Sequence, residues 1–175
     1  MAKHPKRAKS RHPEKPVRFD NSDRGEARNG ARHENSGGST RLEKLPKGMS
    51  FYPDKHLFIN RLGRHIDEST FRLALRTVSE IESWYHEPFD RFVDASRVEI
   101  VDVTVRYIVL QALYRRHVYR DRPHVKSALL TFNKDLIHLS MLQTALFKGA
   151  NITLRIVKDR AEAAEWLGVP IELLR

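Results

Sequence analysis

The sequence predicts one small α/β domain: a mixed, mainly parallel sheet of four to five strands flanked by helices, preceded by a disordered N-terminal tail. Three observations predict it. From Met49 onward, short β-favouring runs alternate with longer segments whose apolar residues recur at helical spacing. Capping or breaking residues bound each helical segment. Before Met49 neither period is present, and the composition is basic, polar and rich in Pro and Gly.

Taken in order, Met49 to Tyr52 reads as a strand and Leu57 to Leu62 as a second, and the turn residues Pro53-Asp54-Lys55 join them as a hairpin. Gly63 ends the hairpin. Asp67 is placed to cap a first helix whose apolar face is Phe71, Ala74, Leu75, Val78 and Ile81, and which stops before Pro88. Phe89 to Asp94 is a third strand, with Phe89, Arg91 and Val93 on one face. A second helix starts near Asp102 or Thr104. Its stripe is Val105, Ile108, Val109 and Ala112, widened by Leu110 and Leu113. It runs out in Arg115-Arg116-His117, cations that suit the negative end of the helix dipole.

Val125 to Phe132 is apolar on both faces at Ala128, Leu129 and Leu130, the pattern of a central strand. Asn133 or Asp135 caps a third helix, with Leu136, Ile137, Leu139, Met141, Leu142, Ala145 and Leu146, which Gly149 ends. Asn151 to Val157 alternates, with Ile152, Leu154 and Ile156 inward. Asp159 caps a short last helix that turns Ala163, Trp166 and Leu167 inward and ends at Gly168, before Pro170. Strands separated by helices imply parallel pairing through crossovers.

The chain of 175 residues carries a net charge of +10, unevenly placed. Residues 1–48 hold 13 Lys/Arg against 6 Asp/Glu, a net of +7; residues 49–175 hold 19 against 16, a net of +3. The first segment has too few large apolar residues to offset the entropy of ordering, so it reads as a disordered basic tail, with the folded domain over 49–175. Gly37-Gly38-Ser39-Thr40 is flexible-linker chemistry. No apolar run approaches the ~20 residues of a membrane span, no secretory leader is visible, and a cytoplasmic protein is expected.

The absence of cysteine excludes disulfides, zinc–thiolate and iron–sulfur centres and a thiol nucleophile. After residue 48 the glycines Gly63, Gly149 and Gly168 are isolated, so no phosphate-cradling loop is present. No pair among the nine histidines has the i, i+4 spacing of a metal face, and no metal or cofactor is expected. His138 shares a helix face with Leu142 and Ala145, the position of a partly buried, hydrogen-bonded histidine. Ser96, Ser127 and Ser140 lie in no nucleophile elbow, and no enzymatic activity is expected. Arg115, Arg116, Arg120, Arg122 and Lys126, interleaved with Tyr114, His117, Tyr119 and His124, form the densest basic cluster and are candidates for binding a polyanion. Trp84, Tyr85, Pro88 and Phe89 make an aromatic knot that packs over the sheet edge or serves a homodimer contact.

Phe92-Val93-Asp94-Ala95-Ser96-Arg97-Val98 resembles the "LDLSGV" strand of STAS domains, the family of bacterial anti-sigma-factor antagonists. The run from Ile152 to Val169 resembles the last strand and helix of that fold, and is closer still to a bacterial STAS-like group in which "VRVFRD" precedes "EAALAWLGV". Lys126 to Leu130, and the helix ending at Gly149, fall where that group has its central strand and third helix. The resemblance spans about residues 49–169. It implies a sheet flanked by helices and a regulatory role. In the antagonists a serine at the start of the second helix is phosphorylated, which blocks partner docking. Here the matching stretch is Asp102-Val103-Thr104-Val105: Asp102 keeps its place, Thr104 stands for the modified hydroxyl, and the neighbouring serine and glycine are missing. Asp94, Ser96, Asp102 and Thr104 are therefore the candidate phosphorylation and partner site.

The leading functional expectation is a non-catalytic regulatory or protein-interaction module with a protein partner. The alternatives are a nucleic-acid-binding accessory protein, using the basic tail and the Arg115–Lys126 cluster, and a binder of a lipid or small apolar ligand. The last follows from the likeness in shape between STAS-like and CRAL-TRIO lipid-transfer domains, although every apolar stripe in the sequence is accounted for by core packing.

Overall fold

The structure, a computed structural model, describes residues 45–175. The expected disordered tail and its Gly-Ser linker lie outside the described residues, apart from Leu45 to Gly48. Leu45 packs against the Phe51–Phe58 core cluster, and the Met49 amide donates to the Pro46 carbonyl at 2.9 Å. The folded unit thus includes the last four residues that composition had assigned to the tail.

The elements follow the expected alternation. They are β1 (Met49–Tyr52), β2 (Leu57–Arg61), β3 (His65–Asp67), α1 (Glu68–Trp84), β4 (Asp90–Ala95), β5 (Ile100–Asp102), α2 (Val105–Val118), β6 (Val125–Thr131), α3 (Lys134–Leu146), β7 (Ile152–Val157) and α4 (Arg160–Leu167). A 3-10 turn, Ile171–Leu174, closes the chain. The main sheet has the order β1-β2-β4-β6-β7. β1 is antiparallel to β2 and every other pair is parallel, as a hairpin followed by crossover units requires. The register places Phe92 between Ile59 and Ala128 at the sheet centre.

Two short strands were not expected. β3 and β5 pair in parallel as a separate ribbon, with Ile66 opposite Val101. Each is three residues long, too short for an alternation to register in sequence.

Side chains alternate across the sheet. Leu57, Ile59, Phe92, Ala128, Leu130 and Val157 face α4 and the terminal turn, where Ala163, Leu167 and Leu174 cover them. Phe51 and Phe58 face Val78 and Ile81 of α1, Val93 and Leu129 face Leu136 of α3, and Val125 faces Ala112 of α2. Phe92, Leu57 and Ile59 are fully buried; each such side chain contributes roughly 1.5–3 kcal/mol. The aromatic knot packs on the sheet edge: Phe51 of β1 meets Trp84, Tyr85 and Phe89 edge-on, with ring centroids 5.8, 4.9 and 5.0 Å away.

The N-caps are the expected ones where one residue was named, whereas α3 ends at Leu146 with Phe147 as its C-cap, short of the expected stop at Gly149. Asp67 Oδ1 accepts from the Thr70 amide, Asp159 Oδ1 from the Glu162 amide, and Gly168 takes a left-handed conformation. Between the pairs left open, Thr104 caps α2 and Asn133 caps α3, while Asp102 ends β5.

Three burial expectations are corrected. Leu110 and Leu113 do not widen the buried stripe of α2 but point outward, because Ile108 and Ala112 already occupy its contact with the sheet. Met141 of α3 also faces out. His138 is exposed, without a hydrogen bond among the described residues, because α3 buries Leu136 and Ser140 instead.

Candidate functional site

Asp94 stands near the C-terminal end of β4, on the α4 side of the sheet, and is buried. Its Oδ1 accepts from the Ser96 amide at 3.1 Å and the Ser96 hydroxyl at 2.6 Å, and its Oδ2 pairs with Arg160 at the start of α4, at 2.6 Å. Burial pushes this carboxyl up, but the Ser96 hydroxyl and amide and then the Arg160 guanidinium outweigh it, and the net shift is down. Asp94 and Ser96 therefore form one unit that fixes the turn after β4 and ties it to α4.

Asp102 and Thr104 lie on the other ribbon and on α2. Asp102 is exposed at the end of β5. Thr104 is an exposed N-cap: its hydroxyl accepts from the Tyr107 amide at 3.2 Å and donates to Glu68 Oε1, at the start of α1, at 2.7 Å. The four candidates thus separate into a buried brace, Asp94 with Ser96, and a solvent-facing pair, Asp102 and Thr104.

On the outer face of α2, Leu110, Leu113 and Tyr114 are neighbours at i, i+3 and i+4 and are 55, 45 and 63 % exposed. Val105, expected in the buried stripe, shares the helix face of Ile108 and Ala112 but is left 57 % exposed in the first turn. The helix carries Arg106, Arg115 and Arg116 and no acidic residue. Apolar residues on both faces of α2 are what made its inner stripe look wide in sequence.

The basic cluster does not form one patch. Lys126 lies on the opposite sheet face from Ser127 and Leu129, with its Nζ 3.2 Å from the Trp166 carbonyl and 5.3 Å from the centre of the Trp166 ring. Arg122 Nη1 is paired with Glu82 Oε2 at 2.9 Å. Arg115 is half-buried over the Tyr119 ring. Arg116 and Arg120 are exposed.

Arg115 and Arg122 belong instead to a network that sequence reasoning missed. Its centre is Arg91 of β4, only 4 % exposed. Arg91 Nη2 donates to Glu82 Oε1 at 2.7 Å and to Tyr119 Oη at 2.6 Å, and Tyr119 donates in turn to Glu82. Tyr119, itself buried, is flanked by the guanidiniums of Arg91, Arg115 and Arg122, their central carbons 5.1, 5.3 and 5.5 Å from the ring centre. The signal was present: Arg91 holds an inward register between Phe89 and Val93, where an apolar residue is the rule. No group of three or more His, Asp or Glu side chains among the described residues is arranged to hold a metal ion.

No protein-family model, curated protein or solved structure matches the chain. No helix among the described residues is long and apolar enough to cross a membrane.

Proposed function

We propose that the chain is a non-catalytic interaction module of STAS-like type that docks a protein partner on the outer face of α2, beginning at the Thr104 cap. The observation that carries this reading is the exposed apolar patch of Leu110, Leu113 and Tyr114 on the outer face of a helix that also exposes Arg106 and Arg116 and has no acid. Contiguous exposed apolar surface rimmed by charge marks an interaction site. Its charge specifies the occupant: a protein segment with an apolar ridge flanked by acidic side chains. The resemblance of this stretch to the antagonist proteins gives the site a regulatory logic. Phosphate on Thr104 would add about −1.5 to −2 charges beside Glu68 and in front of that acidic partner, and so disfavour docking.

The test is affinity capture from the source cells with the full-length chain and with Leu110→Glu/Tyr114→Glu, captured proteins being identified by mass. Both substituted positions are on the surface, so the thermal midpoint should move little. An acidic-flanked protein held by the wild type and lost with the double variant is the expected outcome. Equal retention by both chains contradicts the reading. Self-association of the wild type that the double variant abolishes would replace the partner with a second copy, and capture of RNA or DNA alone would support the polyanion alternative.

A further inference from the structure

A cavity of about 120 Å³ lies between the sheet and helices α1, α2 and α3. Its walls are mainly apolar, with Phe58, Val93, Leu129 and Leu154 from the sheet and Phe71 and Val78 from α1. Its polar lining is unlike the rest: Arg91 and Arg115 both border it, together with Asn60, Ser127 and Gln143.

Arg91 is not satisfied by the protein around it. Nη2 has two acceptors, but Nε and Nη1 are buried and have no partner among the described residues. These two nitrogens carry three N–H donors. The charge is also out of balance. Glu82 gives one carboxylate oxygen to Arg91 and the other to Arg122, and Arg115 has only the Tyr119 hydroxyl, at 3.5 Å, among the described residues. A buried guanidinium cannot shed its proton to escape the cost of burial. Burial and then the neighbouring Arg91 push Arg115 down, but only to about 10, so Arg115 keeps its charge at neutral pH.

Water would satisfy the N–H donors but would leave the charge uncompensated, and against mostly apolar walls it would have few other partners. An anion with an apolar body answers both features of the cavity. A dry engineered cavity of about 150 Å³ accepts benzene, which sets the scale of that body.

We propose that this cavity binds a small organic acid, its carboxylate held by Arg91 and Arg115 and its compact apolar body enclosed between the sheet and α1. This is a site separate from the outer face of α2, and it stands or falls independently of the docking reading.

The test is titration of the full-length protein with benzoate and with hexanoate, followed by amide chemical shifts and by thermal midpoint at fixed pH. Benzyl alcohol serves as the uncharged control and inorganic phosphate as the anion without an apolar body. The expected result is saturable shifts at cavity residues with either carboxylate, at least tenfold tighter than with benzyl alcohol or phosphate. Arg115→Gln should weaken carboxylate binding tenfold or more. Ala74→Leu, which fills the cavity from α1, should abolish binding without lowering the thermal midpoint, so that loss of the site is separated from loss of the fold. No carboxylate binding at about 10 mM, above the Kd of even a millimolar ligand, would overturn the proposal. So would benzyl alcohol binding as tightly as benzoate, phosphate binding as tightly as either acid, or undiminished binding to Ala74→Leu.

Discussion

Arg91 is the residue on which the helix-covered face of the sheet is most finely balanced. Its charge is tolerable because Glu82 lies at 2.7 Å and Tyr119 bridges the two. Removing one partner of a buried pair strands the other, whereas replacing both with apolar side chains removes the desolvation problem altogether. Glu82→Gln should therefore lower stability by about 3–5 kcal/mol, and Glu82→Leu/Arg91→Met should recover much of that loss; urea unfolding of the two variants checks the order. Asp94 supplies a second test, with a different readout. Its carboxyl is held below the ordinary carboxylate range, so its contribution is complete above the unfolded-state value of about 3.9 and is lost as pH falls below that value toward its folded one. Asp94→Asn should leave an acid-unfolding profile flatter than wild type below about pH 4; an unchanged acid limb would contradict the assigned pairing. At this scale the sequence was only partly legible. Asp67, Asp159 and Gly168 could be read because a cap works through its own next few backbone amides or carbonyls, a local relation. Arg91, Glu82 and Tyr119 could not be joined, because they come from β4, α1 and the end of α2 and meet only when the sheet forms.

The hairpin at the edge of the sheet shows how an element depends on a single backbone position. Gly48 leads into β1 with φ of +85°, and a Cβ there would lie 2.5 Å from the Arg61 carbonyl oxygen. That carbonyl belongs to β2, and the Arg61 amide donates back to the Gly48 carbonyl at 2.7 Å. Gly48→Ala should destabilise the domain by more than about 1 kcal/mol, visible as a lower urea midpoint with unchanged slope. The longer helices and strands were legible because their apolar residues repeat over two or more turns or across four to seven residues. β3 and β5 were not, because three residues carry no period. The outward face of α2 is not legible in sequence, which places Leu110 and Leu113 in the buried stripe: apolar residues cover most of the helix circumference, and only the docked sheet decides which of them are spent on packing. A helix whose surplus apolar side chains face solvent beside an exposed cap is the element from which the functional reading grows.

At the largest scale, the sheet separates the described residues, 45–175, into two unequal sides. The α4 side is closed by a continuous apolar cluster from Leu57 to Leu174. The other side is covered by α1, α2 and α3 and contains both the Arg91 cavity and, facing outward, the apolar patch of α2. The mixed, mainly parallel character of the sheet followed from the alternation of elements in sequence, whereas its strand order and the cavity did not, since both depend on how those elements pack against one another. The central claim is that α2 presents the working surface, and hydrogen exchange of the full-length chain, alone and with the protein recovered by capture, tests it most directly. Binding should slow exchange along the Thr104–Val118 segment, and the Leu110→Glu/Tyr114→Glu chain should show no such change. Protection confined to residues 1–44, or to the Arg120–Lys126 turn, with α2 unaltered, would contradict it.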